Sequence, residues 1–336
     1  MITRTAPTWQ IENWQKALAR AIRDPAELLR RLELPDTLLP GAQRAADLFP
    51  LRVTESFLSR MEKGNPADPL LRQVLPLHTE TEASPGFGID PVGDLAATAL
   101  PGLLHKYQGR VLLMTTGACA IHCRYCFRRH YPYGEGCAGQ SELAAVLAHI
   151  AADSTISEVI LSGGDPLSLT NNRLLDLLSR LDRIPHIQRL RIHTRLPVVL
   201  PERIDDNLLN GLADPADRLV VVLHINHANE IDPTVAAKLG ELRRLGITLL
   251  NQAVLLSGIN DDLTALKTLS ERLFSVGVLP YYLHQLDRVQ GAHHFHVEKD
   301  AAMALMAALR RELPGYLLPR LVEEISGADA KRPLFY

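Results

Sequence analysis

From about residue 110 onward, short apolar runs rich in Val, Ile and Leu alternate with longer segments of helical period. Neighbouring parallel strands need long crossover connections, usually helices, so this alternation predicts consecutive βα units. Each helical segment carries one apolar stripe, as at Leu174, Leu177, Leu178 and Leu181, which recur at i, i+3, i+4 and i+7. Six strands are predicted, at 111–114, 158–162, 189–193, 219–225, 247–256 and 279–284.

Six units are too few for a closed eight-stranded barrel. The α/β folds that remain are a partial (β/α)6 barrel and a doubly wound parallel sheet, and both place a functional site at the carboxyl ends of the strands. We expect a helical extension with a linking loop at 1–98, the partial barrel at 99–315 and a short closing segment at 316–336.

The charges of the chain nearly balance, with 36 Lys and Arg against 38 Asp and Glu. No basic field is therefore available to attract nucleic acid or an anionic membrane. The start of the chain lacks the apolar core of a signal peptide, and no stretch approaches the roughly 18 apolar residues of a membrane span. Three of the four cysteines lie close together, which suits a ligand cluster in a reducing compartment. We expect a cytoplasmic protein with no nucleic-acid or membrane partner.

Cys119, Cys123 and Cys126 form a C-x3-C-x2-C motif directly after the first predicted strand. Three thiolates on a short loop suit a [4Fe-4S] cluster, in which one iron stays open to a ligand. The main alternative is a tetrahedral zinc site, with a fourth ligand supplied by His122, His130 or Cys137. Unliganded thiols are the third possibility.

A glycine-rich turn, Ser162-Gly163-Gly164-Asp165, follows the second predicted strand. Glycines allow the backbone to approach a ligand closely, although such a tetrapeptide alone is often an ordinary turn. A second pattern, G-x-G-x-x-G at Gly134, Gly136 and Gly139, follows RRHYPY instead of a strand. We therefore do not expect this second pattern to bind a dinucleotide.

The cysteine motif, with Tyr125 just before its third cysteine, and the SGGD turn resemble the signature of the radical S-adenosylmethionine superfamily. Longer stretches resemble lysine 2,3-aminomutases in the same order, over roughly residues 60 to 334: CRYCFRRHYPY, LSGGDPL, RIHTRLPVVLPERI, NQAVLLSGINDD and PYYLHQLD. RMEKGNPADPLLRQVLP and HINHANEID are similar to the bacterial subfamily that supplies (R)-β-lysine for elongation factor P.

The resemblance implies the partial barrel and three cofactors: a [4Fe-4S] cluster on the three cysteines, S-adenosyl-L-methionine and pyridoxal 5'-phosphate. It implies that the turn at Ser162, Gly163, Gly164 and Asp165 receives the methionine amino group and that His224 contacts S-adenosylmethionine. It places the Schiff-base lysine at Lys331, after a segment (326–330) that lacks the family's glycine-rich run. The cofactor phosphate is then held by Lys106, Arg110 and Gln252.

For the substrate, L-lysine, the resemblance implies that Arg128 grips the carboxylate and that Asp287 and Glu324 bind the ε-ammonium group. The family has aspartate at the second of these acidic positions, where this chain has the longer Glu324. An alternative role for the arginines of the motif is that Arg124, Arg128 and Arg129 offset the negative charge of the thiolates.

The implied activity is that of an isomerase that moves the amino group of lysine from C2 to C3 after a 5′-deoxyadenosyl radical removes hydrogen from C3. The implied partner is a one-electron donor such as flavodoxin or ferredoxin. The resemblance also implies a functional link to elongation factor P and its lysyl ligase. Two alternatives remain: a zinc-stapled βα binding protein without catalysis, and a radical enzyme that acts on a lysine within a protein.

Overall fold

The computed structural model describes residues 13–137 and 140–335. Their strands form one ten-stranded sheet in sequential order: β1 Thr98–Leu100, β2 Leu103–Tyr107, β3 Arg110–Thr116, β4 Glu158–Gly163, β5 Arg189–Thr194, β6 Leu219–Leu223, β7 Thr248–Val254, β8 Leu279–His284, β9 Arg320–Glu323 and β10 Arg332–Pro333. The six predicted strands are confirmed as β3 to β8.

Each strand from β3 to β8 is followed by at least one helix. The helices are α1 Trp14–Ala19, α2 Pro25–Arg31, α3 Leu39–Leu48, α4 Glu55–Leu58, α5 Tyr133–Gly136, α6 Gln140–Ala152, α7 Asn171–Asp182, α8 Leu196–Val199, α9 Asp206–Leu212, α10 Pro233–Arg244, α11 Leu263–Ser275 and α12 Lys299–Glu312. Within the described ranges, no helix combines the length and apolar character needed to span a bilayer.

Neighbouring strands from β3 to β9 pair in parallel, while β1, β2 and β10 add antiparallel edges. The strand order never reverses, whereas a doubly wound sheet requires a reversal. The fold is therefore the partial barrel. The sequence analysis did not predict β9, because Leu321 and Val322 are too short an apolar run to give a strand signal.

Successive side chains of a barrel strand point to opposite faces of the sheet. One face packs in the apolar core under the helices, and the other lines the cavity inside the barrel. On β5, Leu190 and Ile192 belong to the apolar core, whereas Arg191 and His193 line a central cavity. The predicted stripe of α7 is buried at all four of its leucines. The sequence thus places apolar side chains between sheet and helices and leaves polar side chains for the cavity.

Helices α1, α2 and α4 pack on the barrel, since Trp14, Leu28 and Phe57 belong to the same apolar core as Leu113 and Leu161. Among its described residues, the G-x-G-x-x-G pattern is not directly preceded by a strand, which agrees with the expectation that it does not bind a dinucleotide. Gly134 and Gly136 lie in the four-residue α5, which follows a loop, and Gly139 lies outside the described residues.

Candidate active site

A cavity of 310 Å³ lies at the carboxyl ends of the barrel strands, a size typical of ligand sites. Every site residue predicted from the sequence lines it: Lys106, Arg110, Cys119, Cys123, Cys126, Arg128, Ser162, Gly163, Gly164, Asp165, His224, Gln252, Asp287, Glu324 and Lys331. Residues up to 225 positions apart in the chain (Lys106 to Lys331, 331 − 106) are therefore brought to one place by the barrel.

The three cysteines lie on the loop that leaves β3. Burial raises the pKa of the Cys119 thiol well above its usual range, and the nearby carboxylate of Asp165 raises it further. Burial and the neighbouring sulfur of Cys123 raise the pKa of Cys126 to about 11. Buried thiols of this kind lose their protons when a cationic metal centre binds, so the donor set fits a metal centre.

The candidate fourth ligands for zinc lie outside the cavity. The Nδ1 atom of His122 lies 2.8 Å from the Pro50 carbonyl oxygen, and Nε2 of His130 lies 3.2 Å from the Gln290 carbonyl oxygen. Neither histidine lines the cavity, and neither does Cys137. Among residues 13–137 and 140–335, no three His, Cys, Asp or Glu side chains are gathered to hold a single ion.

A single zinc ion needs ligands that converge on one point, whereas an iron–sulfur cluster places each thiolate on a different iron. Because His122, His130 and Cys137 lie outside the cavity that the three cysteines line, the donor set fits the cluster better than a four-ligand zinc site. Three thiolates leave the fourth iron of such a cluster without a side-chain ligand.

The Gly163-Gly164 turn packs directly against the cysteine loop. Gly163 has a φ of +127°, and a Cβ atom at Gly164 would lie 2.3 Å from the Ala118 carbonyl oxygen. The Gly164 amide donates to the Thr116 carbonyl oxygen at 2.6 Å. Glycine is thus required here because the two loops touch, a reason that the sequence alone did not indicate.

The side chain of Asp165 joins this turn to the end of β5. Its carboxylate accepts hydrogen bonds from the Thr194 hydroxyl and the Arg195 amide, both at 2.7 Å, and from the Leu196 amide at 3.1 Å. Burial raises the pKa of Asp165, although these hydrogen bonds oppose the shift. The carboxylate therefore positions the turn.

A chain of alternating charges crosses the cavity wall. The Nε atom of Arg128 lies 2.6 Å from one Asp94 oxygen, and Nζ of Lys106 lies 2.5 Å from the other. Lys106 also contacts Glu324 at 3.0 Å, and Glu324 contacts Nζ of Lys331 at 2.5 Å. Asp94, which the sequence analysis missed, thus bridges a predicted substrate residue and a predicted phosphate residue.

The two predicted substrate acids differ in their surroundings. Burial disfavours the ionised form of Glu324, but the ammonium groups of Lys331 and Lys106 outweigh it and lower its pKa to about 2. Burial raises the pKa of Asp287 to about 7, and the charge of Glu324 raises it further. Unlike Glu324, Asp287 takes part in no ion pair among the described residues. Asp287 is therefore the acid with the greater need for a cationic ligand.

Histidines contribute neutral polar groups to the cavity. Burial and the charge of Arg195 lower the pKa of His224 to about 3, and its Nε2 atom lies 2.9 Å from the Gln252 amide nitrogen. The Nε2 atoms of His193 and His284 are buried and have no hydrogen-bond partner within the described ranges. Both lie at the carboxyl ends of predicted strands, which was the available signal for these two missed residues.

Comparison with known proteins places these features in a family. Residues 108–189 match the family model described as "4Fe-4S single cluster domain". The chain is 49% identical to L-lysine 2,3-aminomutase of Escherichia coli (strain K12), over 96% of this chain and 94% of that protein. It is 48% identical to L-lysine 2,3-aminomutase of Haemophilus influenzae, over 95% of each chain. The protein of the same name from Clostridium subterminale is 31% identical, over 96% of this chain and 77% of its own length.

Among solved structures, Streptococcus suis SuiB bound to precursor peptide SuiA matches with a TM-score of 0.50 and 13% identity. The match covers 66% of this chain and 50% of that one, so this chain matches about half the length of SuiB and the likeness concerns the fold alone. The identity to the curated relatives extends over nearly the whole chain. The chain therefore belongs to the lysine 2,3-aminomutase family of radical S-adenosylmethionine enzymes.

Proposed function

We propose that this chain is an isomerase that converts L-α-lysine to (R)-β-lysine with a [4Fe-4S] cluster, S-adenosyl-L-methionine and pyridoxal 5'-phosphate. The observation that carries the proposal is the single cavity lined by all the predicted cofactor and substrate residues. When bound, the cluster with S-adenosylmethionine supplies a carbon radical, and pyridoxal phosphate holds the migrating nitrogen. The protein supplies binding, orientation and exclusion of water.

The donor groups on the cavity wall support the cofactor roles that the family resemblance implies. Cys119, Cys123 and Cys126 hold the cluster. The Ser162–Asp165 turn and His224 bind S-adenosylmethionine, and the unpartnered nitrogens of His193 and His284 add polar contacts for ligands. Lys331 holds pyridoxal phosphate covalently, and Lys106, Arg110 and Gln252 bind its phosphate, since cations and amide donors suit a dianion.

The substrate roles require a cation and two anions in one cavity. Arg128 binds the carboxylate of lysine, with its guanidinium oriented by Asp94 and by the Ser162 hydroxyl at 3.1 Å. Asp287 and Glu324 bind the ε-ammonium group, and opposite charge there selects a basic side chain. Free lysine fits better than a protein-bound lysine, because only the free amino acid offers a carboxylate to Arg128 and an amino group at C2.

The proposal is tested by anaerobic incubation of the reconstituted protein with lysine, S-adenosylmethionine, pyridoxal phosphate and a reductant. We expect β-lysine in the product mixture, resolved by chiral chromatography as the (R) form. When intact elongation factor P replaces free lysine in the assay, we expect no migration of nitrogen from C2 to C3 in any of its lysine residues. Turnover of the factor without turnover of free lysine would replace the proposal by the protein-bound alternative.

We expect Asp287→Asn to weaken lysine binding selectively. Truncating one partner of a buried charge pair costs ~2–4 kcal/mol, which corresponds to roughly a 30- to 700-fold increase in KM for lysine.

The groups that face Asp287 are Glu324, Lys331, Lys106 and Asp94. Because the pKa of Asp287 is about 7, the wild-type KM should fall as pH rises from 6 to 8, when the carboxyl group ionises. The variant should lose this part of the pH dependence.

Norleucine, which lacks the ε-ammonium group, serves as the control ligand. It should inhibit wild type and Asp287→Asn equally, because it makes no ion pair with residue 287. An unchanged KM for lysine in the variant, or equal losses for both ligands, contradicts the assignment of Asp287 to the ammonium group.

The wider setting is part of the same proposal. The enzyme acts in the cytoplasm, receives electrons from a donor such as flavodoxin or ferredoxin, and supplies β-lysine to the lysyl ligase of elongation factor P. Reducing conditions there keep the cluster cysteines available. The proposed division is an extension at 1–98, a barrel at 99–315 and a closing segment at 316–336, which carries Lys331 and contributes β9 and β10 to the sheet of the barrel.

A further inference from the structure

Arg195 is a buried arginine at the end of β5 that contacts one of the three cysteines. Its side chain is 5% exposed, and its Nη1 atom donates to the Cys123 sulfur and to the Tyr125 hydroxyl, both at 2.7 Å. The sequence analysis did not assign it a role. Within the described ranges, Arg195 is the arginine that donates a hydrogen bond to a cysteine of the motif.

Arg124, within the cysteine motif, and Arg128 and Arg129, just after it, are paired with carboxylates. Arg124 donates to Glu80 at 2.6 Å, and Arg129 donates to the same carboxylate at 2.9 Å. Arg128 pairs with Asp94. The charges of Arg128 and Arg129 still lower the pKa of Cys126, as expected if they offset thiolate charge. The guanidinium in direct contact with a motif sulfur is that of Arg195.

Several elements hold the Arg195 guanidinium in place. Its Nη2 atom contacts Glu230 at 2.9 Å and the Gln73 amide oxygen at 2.5 Å, and its own backbone amide donates to Asp165. Asn226 donates to the Tyr125 hydroxyl at 2.6 Å. A side chain held from this many directions keeps its hydrogen bond to sulfur with little entropic cost.

We propose that Arg195 is a positioning residue that raises the reduction potential of the cluster through its hydrogen bond to Cys123, and that Glu230 moderates this effect as its counter-ion. The proposal rests on the proposed function, which supplies the cluster. One-electron reduction makes the cluster more negative, and hydrogen bonds and positive charge at its sulfurs stabilise that state. Burial makes the effect large, because solvent does not screen the charge.

The proposal predicts that replacing Arg195 and replacing Glu230 shift the midpoint potential of the cluster in opposite directions. Arg195→Gln removes the cation and should lower the midpoint potential, whereas Glu230→Gln leaves the cation uncompensated and should raise it. Arg195→Lys keeps the charge and should lie between wild type and Arg195→Gln. We expect the glutamine variant at Arg195 to change the ratio of reduced to oxidised cluster at a fixed potential by on the order of tenfold, about 59 mV for one electron.

Arg272→Gln is the matched control. Arg272 is a half-buried arginine that donates to the Ile231 carbonyl oxygen at 2.9 Å instead of to a cysteine. Its replacement should leave the midpoint potential unchanged. The measurement is a dithionite titration of each reconstituted variant without substrate, followed by electron paramagnetic resonance, with iron content and circular dichroism recorded on the same samples.

Equal midpoints in wild type, Arg195→Gln and Glu230→Gln, at equal iron content, would overturn the proposal while leaving the proposed function intact. Shifts of the same sign in both variants would also overturn it, because a loosened cluster loop would explain them. A wild type without iron would instead defeat the proposed function. If Arg195→Gln does not fold, Arg195→Lys and Glu230→Gln still test the sign of the effect.

Discussion

Replacement of Cys123 with alanine is expected to give a colourless protein without iron and without β-lysine formation. Cys123 is one of three thiols on the loop after β3, and two thiolates cannot retain a cluster that needs three protein ligands. We expect iron to fall from about four atoms per chain to near background. Iron analysis and the visible spectrum of anaerobically reconstituted protein measure this directly.

The fourth cysteine offers a matched control. Cys137 lies outside the cavity, so Cys137→Ala should keep its iron, its colour and its activity. Loss of iron in Cys137→Ala, or one zinc per chain in a colourless wild type, would assign the site to a tetrahedral metal. A Cys123→Ala variant that keeps a full cluster would place the ligands elsewhere.

Replacement of Lys331 with alanine is expected to abolish covalent binding of pyridoxal phosphate and to leave the cluster intact. Lys331 lines the cavity and contacts Glu324, whereas the cysteines lie on a separate loop. The chemistry requires a lysine that forms an imine with the cofactor, so the variant should show no imine absorbance and no turnover. Iron content should equal that of the wild type.

Borohydride reduction of the wild type followed by peptide mass spectrometry tests the same residue independently. The cofactor label should appear on the peptide that contains Lys331. Lys299→Ala is the matched control, because Lys299 pairs with Glu323, next to Glu324, yet does not line the cavity. A label on another lysine, or an imine band that survives in Lys331→Ala, contradicts the assignment.

The ion pair between Lys331 and Glu324 bears on how the chain loads its cofactor. The carboxylate holds Lys331 next to Lys106, a predicted phosphate residue. Glu324 stands where the family resemblance implies the shorter aspartate, and its two oxygens contact two different lysines. We therefore expect Glu324 to contribute to the placement of Lys331 as well as to substrate binding.

Local patterns in the sequence determined the framework of this protein. Apolar runs with the period of strands and stripes with the period of helices predicted β3 to β8 and the buried face of α7, because such periods depend only on neighbouring residues. The spacing of Cys119, Cys123 and Cys126 on one short loop likewise indicated a ligand set before any tertiary contact was known.

The tertiary structure alone decided which distant side chains meet. It brought Asp94 between Arg128 and Lys106, and Arg195 against Cys123, across separations in the chain that leave no periodic signal. It also added β9 to the barrel and set the glycine turn against the cysteine loop. The physical reason is that a contact between strands depends on the curvature and register of the whole sheet, which no local stretch of sequence specifies.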